Sequence, residues 1–261
     1  MNITSKQNTI IKSFKKPGNF IVIEGAKLTS EAVASGFVPQ NALFTQKAKA
    51  VYPDLFKSLS AFVISDDLSE YISDTKTPQG VFVMFNRRET HIDFSGKKRL
   101  MLLDSVQDPG NVGAILRSCE AFGFDGAILS DDSADMYSPK VIRASAGSAL
   151  RLPVQRGNIK NAINEIKKSG FKVYAAALDE NAIPLNRLST VNCQLSTVRQ
   201  SSIAVVIGNE GKGVSKETLA LCDNKLYIPI KGAESLNAAV AAGIICYELT
   251  VDSCRLTVVH I

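Results

Sequence analysis

A chain of 261 residues, 45% hydrophobic and 21% charged, is long enough for two domains around sizeable cores. A formal net charge of +5 and a pI of about 8.9 permit an anionic partner such as RNA without demanding one. Composition excludes more: no apolar run is long enough to span a membrane, MNITSKQNTIIKSFKK lacks the apolar core of a signal peptide, and five cysteines without CxxC spacing indicate neither a zinc site nor a disulfide framework.

Cysteines flanked by apolar residues fit a reducing cytoplasm, where thiols pack as small hydrophobes. His91 and His260 are far apart and lack triad-like surroundings.

Residues 4–16 read as a short basic helix carrying Lys6, Lys12, Lys15 and Lys16. A strand over 20–23 leads through Glu24-Gly25 into a helix over 26–34. Strands over 42–45, 61–64 and 81–85 alternate with helices near 54–59 and 67–72, which makes a small α/β domain over 1–88. The polar stretch from Asn86 to Arg99 has no apolar period and contains the linker, over 89–99. Its Arg87, Arg88, Lys97, Lys98 and Arg99 suit either phosphate contact or a solvated connector.

The second domain, 100–261, alternates more strongly. Apolar strands are predicted over 100–103, 127–129, 152–154, 172–177, 203–207 and 226–230. Near-continuous apolar strands belong in a mostly parallel sheet covered on both faces, an α/β fold. Ligands of such sheets sit at the carboxyl ends of strands.

Three predicted strand ends stand out. The first is DPGNVGAILRS, 108–118. Pro109-Gly110 turns the chain, and Asn111 is read as the helix cap. Val112, Ile115, Leu116 and Cys119 share one helix face, with Arg117 roughly opposite between Ala114 and Ala121. Arg117 reads either as a solvated arginine or as a cation with room to reach a ligand. The second is IGNEGKGVS, 207–215, where Gly208, Gly211 and Gly213 surround Asn209, Glu210 and Lys212. It matches neither the P-loop nor the GxGxxG spacing, which disfavours a nucleotide triphosphate or dinucleotide. The third is IPIKGAESLNAAVAAG, 228–243, which opens a helix of small residues with Leu236, Val240, Ile244 and Tyr247 as its expected apolar stripe. Ser235 stands at its expected start, as a cap or as a functional group.

In this order the three stretches resemble the motifs of the SpoU, or TrmH, family of RNA ribose methyltransferases. The resemblance runs from Leu100 to the C-terminus. SKQNTIIKSF and FIVIEGAKL are similar to the ribosomal-protein-like substrate-binding domain often fused to it. The resemblance implies a C-terminal α/β domain with a trefoil knot and transfer of a methyl group from S-adenosylmethionine to a ribose 2′-hydroxyl, without a metal. It assigns Arg117, Asn111, Glu210, Ser235 and Asn237 to the catalytic set. It assigns Ala177, Leu178, Gly208, Asn209, Gly213, Ile228, Ile230 and Leu236 to the cofactor site. It further implies a homodimer acting on RNA, and the cysteine usage points to a cytoplasmic setting. The N-terminal domain points to rRNA, with tRNA or a non-catalytic assembly role as alternatives. The third motif commonly reads SLNVSVA; here Ala238 and Ala239 replace a β-branched residue and a serine, and alanine favours the helix.

Overall fold

The computed structural model describes residues 2–190 and 202–250. It divides into two compact units, Met1–Glu89 with Tyr137–Arg151, and Thr90–Met136 with Leu152–Ile261.

The first unit begins with β1 (Asn2–Ile3), α1 (Thr9–Lys15), β2 (Phe20–Glu24), α2 (Ala26–Ala34) and β3 (Pro39–Thr45). It continues with α3 (Gln46–Val51), α4 (Pro53–Ser58), β4 (Phe62–Ile64), α5 (Asp66–Ile72) and β5 (Val81–Asn86). Its mixed sheet has the order β1-β4-β3-β5-β2. β5 is buried from Val81 to Phe85, as its apolar run requires. The basic helix is shorter than predicted because Asn8 caps it, accepting from Ile10 N at 2.9 Å. α1 therefore leaves Lys6 outside.

The second unit opens with β6 (Arg99–Asp104), α6 (Pro109–Ala121) and β7 (Gly126–Leu129). The next two helices, α7 (Pro139–Ala144) and α8 (Ser148–Arg151), belong to the first unit. There Tyr137 Oη donates to Arg88 O at 3.0 Å, and Arg151 pairs with Glu31. No apolar period predicted these two helices. The second unit resumes with β8 (Val154–Arg156), α9 (Ile159–Lys168), β9 (Lys172–Ala176), β10 (Ile183–Pro184) and α10 (Leu185–Thr190). It ends with β11 (Ile203–Gly208), α11 (Lys216–Leu221), β12 (Asn224–Tyr227) and α12 (Ala238–Thr250).

Its seven strands are all parallel, in the order β10-β12-β9-β11-β6-β7-β8. β11 and β6 pair at the centre from Ile203↔Arg99 to Gly208↔Asp104. Leu100, Leu102, Ala204 and Val206 lie under α9, whose Ile159, Ala162, Ile163 and Ile166 form its buried face. Ile92 is buried in the same core, and Phe94 packs on Phe171 at a ring separation of 6.3 Å.

Two strand boundaries shift for a proline. Pro153 has no N–H for the ladder, so β8 starts at Val154 rather than at 152, while Pro153 O still accepts from Ala127 N at 3.0 Å. β12 spans Asn224–Tyr227 rather than 226–230, and the chain leaves the sheet before Pro229.

Gly208 ends β11 with its α-carbon against the returning loop. A Cβ there would overlap the backbone of Gly213 and Val214. Gly208→Ala is expected to lower unfolding free energy by about 1–3 kcal/mol, the usual cost of overpacking. A urea-denaturation midpoint equal to wild type would refute the overlap.

Candidate active site

The loops after β6, β11 and β12 all leave carboxyl ends of parallel strands, where α/β sheets bind ligands. After β6, Asp108 caps α6: Asn111 N donates to Asp108 Oδ1 at 2.8 Å, and Pro109 fills the first turn. Asn111 is therefore not the cap it was expected to be. Aspartate accepts from the third helical N–H in the ordinary capping geometry, and this leaves the Asn111 side chain available for other partners. Val112, Ile115, Leu116 and Cys119 are fully buried as predicted. Arg117 is exposed, and its guanidinium makes no hydrogen bond or ion pair among the described residues.

The loop after β11 is closed on itself. Asn209 N donates to Gly213 O (3.0 Å) and Gly213 N to Asn209 O (2.8 Å). Asn209 Oδ1 accepts from Gly211 N and Lys212 N, while its Nδ2 donates to Ser105 O at 2.9 Å. Asp104, buried at the end of β6, accepts from Ser215 N (3.0 Å) and Ser215 Oγ (2.9 Å). Asp104 was not singled out in the sequence, although a carboxylate closing an apolar strand is a signal in itself.

One chain of side chains joins the three loops. Glu210 accepts from Asn111 Nδ2 (2.9 Å), Asp108 N (3.1 Å) and Gln107 N (3.4 Å). Asn111 Oδ1 in turn accepts from Asn237 Nδ2 at 2.9 Å. Asn237 Oδ1 accepts from Ala239 N (2.9 Å) and Val240 N (3.2 Å), so Asn237, not Ser235, caps α12. The polarity is self-consistent, because an ionised carboxylate only accepts and each amide then has a single orientation. Partial burial opposes ionisation of Glu210. Hydrogen bonds from Asn111, its own N–H, Asp108 and Gln107 outweigh it and hold the carboxyl below the ordinary glutamate range.

A cavity of about 460 Å³ opens beside the third loop. Ala177, Leu178, Ile228, Ile230 and Leu236 line it, together with Ser235 from the predicted catalytic set. Ala176, Tyr227, Ala241 and Ile245 complete much of the wall and were not all anticipated. Its size suits a small-molecule cofactor. Its aliphatic walls leave recognition largely to peptide groups, with Ser235, Glu234 and Tyr227 as the polar side chains. Aliphatic walls fit the flat adenine of S-adenosylmethionine, and its charged amino-acid end would need the peptide groups and polar side chains. Gly208, Asn209 and Gly213 do not line this cavity; they form the closed loop described above.

The expected stripe of α12 is corrected. Val240 is 51% and Tyr247 43% exposed, whereas Ala242, Ile245 and Cys246 are buried. Leu236 lies before the helix. The small residues allow close approach to α6, where Gly243 faces Ser118 and Tyr247 meets the Phe122 ring edge-on at 5.9 Å. Tyr247 thus packs its ring at the end of α6 although it is partly exposed, while Ala242, Ile245 and Cys246 form the buried face.

Comparison with known proteins identifies the chain as an S-adenosylmethionine-dependent RNA methyltransferase. Residues 98–247 match the SpoU rRNA Methylase family, and residues 12–83 match the MRM3-like substrate binding domain. The chain belongs to the SpoU rRNA Methylase family. It is 33% identical over 256 residues to the 23S rRNA (guanosine(2553)-2'-O)-methyltransferase RlmP of Bacillus subtilis, covering 95% of this chain and 98% of that protein. The human mitochondrial rRNA methyltransferase 3 is 28% identical over 295 residues, covering 92% of this chain and 70% of that protein. An AdoMet-bound rRNA methyltransferase from Sinorhizobium meliloti matches with a TM-score of 0.82 at 25% identity, covering 95% of this chain and 97% of that one.

A glutamate whose folded-state pKa is depressed stabilises the fold above its unfolded pKa, and the contribution is lost as pH falls through the folded value. Glu210→Gln is therefore expected to lower stability near neutral pH, by about 1 kcal/mol or less for so exposed a group. The difference should shrink as the pH is lowered from neutral to acid, down through and below the ordinary glutamate range. Urea midpoints of both proteins at neutral and acid pH check this, and a gap undiminished in acid would overturn it.

Proposed function

We propose that this protein methylates the 2′-hydroxyl of a ribose in ribosomal RNA, with Arg117 acting on the hydroxyl and the apolar cavity holding the cofactor. The observation that carries this reading is the side-chain chain Glu210–Asn111–Asn237, which ties the Arg117 helix to the cavity's own loop. The match to a substrate-binding domain over 12–83 supports RNA as the acceptor. The rRNA activity named for the Bacillus subtilis relative, over nearly the full length of both chains, favours rRNA over tRNA.

S-adenosylmethionine supplies a methyl group already activated on a sulfonium. The protein must align the hydroxyl and stabilise charge on its oxygen, and alignment alone contributes roughly 7–11 kcal/mol. Arg117 is a permanent cation and a poor general base. Its exposed fork suits stabilisation of developing alkoxide charge and a bidentate grip on the neighbouring phosphate. Glu210 is ionised but occupied by three N–H donors, so it serves by holding Asn111 and the loops in place. Ser235, at the cavity wall, is placed to orient substrate or cofactor. Ala177, Leu178, Ile228, Ile230 and Leu236 would hold the cofactor. Gly208, Asn209 and Gly213, which lie outside the cavity, would hold the second loop closed.

The same reading includes a trefoil knot in the second unit, a cytoplasmic setting and a homodimer. Exposed Val240 and Tyr247 on α12 support pairing of two copies. Among the described residues no helix is long and apolar enough to cross a membrane.

Tritium transfer from labelled S-adenosylmethionine to total RNA, followed by digestion to nucleosides, tests the reaction. Label is expected in a 2′-O-methylated nucleoside of rRNA. Arg117→Ala should reduce transfer by about 10²–10³-fold, as loss of a charge-stabilising donor does. Arg117→Lys should stay well below wild type because it lacks the fork. Label confined to tRNA would replace the substrate, and no label at all would overturn the reading.

Light scattering of the purified protein is expected to give twice the monomer mass. Val240→Asp with Tyr247→Asp should shift it to monomer, and a monomeric wild type would remove the dimer.

A further inference from the structure

We infer that Ser133, backed by Ser130, is a positioning residue for Arg117. The inference rests on the functional reading above and extends it to residues outside the three motifs.

The loop Ser105–Asp108 connects β6 to the helix that carries Arg117. Ser105 has a φ of 61°, a left-handed conformation that a non-glycine residue holds only when its surroundings impose it. All four N–H groups of this loop find acceptors on side chains. Ser105 N donates to Ser130 Oγ at 2.8 Å, and Val106 N to Ser133 Oγ at 3.2 Å. Gln107 N and Asp108 N go to Glu210. The loop is thus gripped by two hydroxyls from the exit of β7 on one part and by the second motif on the other.

The serine pair is buried, Ser133 at 3% and Ser130 at 7% exposure, and Val106 is at 0%. Its protons have one consistent arrangement. Ser133 Oγ donates to Leu103 O (3.2 Å), Ser130 Oγ donates to Ser133 Oγ (2.9 Å), and each oxygen then accepts a loop N–H. The segment bearing them is itself fixed: Ser130 N donates to Leu103 O (2.9 Å), Ala134 N to Val106 O (2.9 Å), and Arg156 Nη2 to Ser133 O (3.0 Å). Removing the Ser133 hydroxyl strands the Val106 N–H out of reach of water. The strained turn then has one acceptor fewer, and the helix start that aims Arg117 loses its register. Neither serine lines the cofactor cavity, so cofactor binding is separable from this effect.

The test is the methyl-transfer assay with the RNA fraction that accepts label, run on wild type, Ser133→Ala and Ser133→Thr. Ser133→Ala is expected to lower kcat at least about tenfold, with KM for RNA and calorimetric Kd for S-adenosylmethionine within twofold. Ser133→Thr, which restores the hydroxyl, should recover most of the rate. If Ser133 acts through Arg117, adding Ser133→Ala to Arg117→Lys should cost little further rate. A Ser133→Ala enzyme as fast as wild type would overturn the inference. So would losses that multiply with Arg117→Lys, or a parallel loss of cofactor affinity, which marks a general role in folding. Should Ser133→Ala not fold, Ser130→Ala, which spares the bonds of Ser133 to Val106 and Leu103, carries the prediction as a smaller loss in kcat alone. An active wild type with unaffected variants refutes this inference alone, whereas an inactive wild type refutes the functional reading beneath it.

Discussion

The arrangement depends on a hydrogen-bonded run with a single direction. Backbone N–H groups at the start of α12 donate to Asn237, Asn237 donates to Asn111, and Asn111 donates to Glu210. The run ends on a carboxylate that only accepts, so every amide upstream has its orientation set. The carboxylate and Asp108 also lie at the N-terminus of α6, where the helix dipole favours negative charge. Three loops, the first lying 99 residues (Asn111 to Glu210) and 126 residues (Asn111 to Asn237) from the other two along the chain, are held in one register by these contacts. An arginine on α6 and a cavity under α12 consequently share a frame.

The parallel sheet makes this convergence possible. Parallel strands deliver their carboxyl ends to one edge, and β6 and β11 sit side by side in exact-length register from Arg99 and Ile203 to Asp104 and Gly208. At that edge the packing is unforgiving. Gly208 has no room for a side chain, and Asp104 is buried with Ser215 as its partner. The chain therefore has few ways to seat its second loop, and the closed Asn209–Gly213 turn is the outcome. The cavity then forms largely from the third loop and from the ends of β9 and β12.

Much of this was readable from local pattern. The helix over 26–34 matches α2, and the buried face of α6 with Arg117 opposite follows from periodicity alone. The apolar runs at 100–103 and 203–207 became the central strands. The caps were less legible. Asn111, Asp108, Ser235 and Asn237 all suit a cap by residue type, and choosing among them takes the backbone angle at each position. The stripe on α12 misled because the buried residues, Ala242, Ile245 and Cys246, run off the predicted line of Val240, Ile244 and Tyr247, a rotation that the packing of the helix on its neighbours decides. The helices over 139–144 and 148–151 and the two-residue β10 carry too few periodic positions to announce themselves.

The amino-acid sequence by itself determined the α/β alternation, the buried strands, the exposure of Arg117 and the three motifs that resemble the family. Each depends on residue type and short-range spacing, which the chain carries locally. Only the tertiary structure decided which polar groups meet: that Glu210 takes its donors from 107, 108 and 111, that Asn237 reaches Asn111, and that Ser130 and Ser133 receive the N–H groups of Ser105 and Val106. Hydrogen bonds act within about 3 Å, and partners distant in sequence come that close only once the sheet has set the strand order.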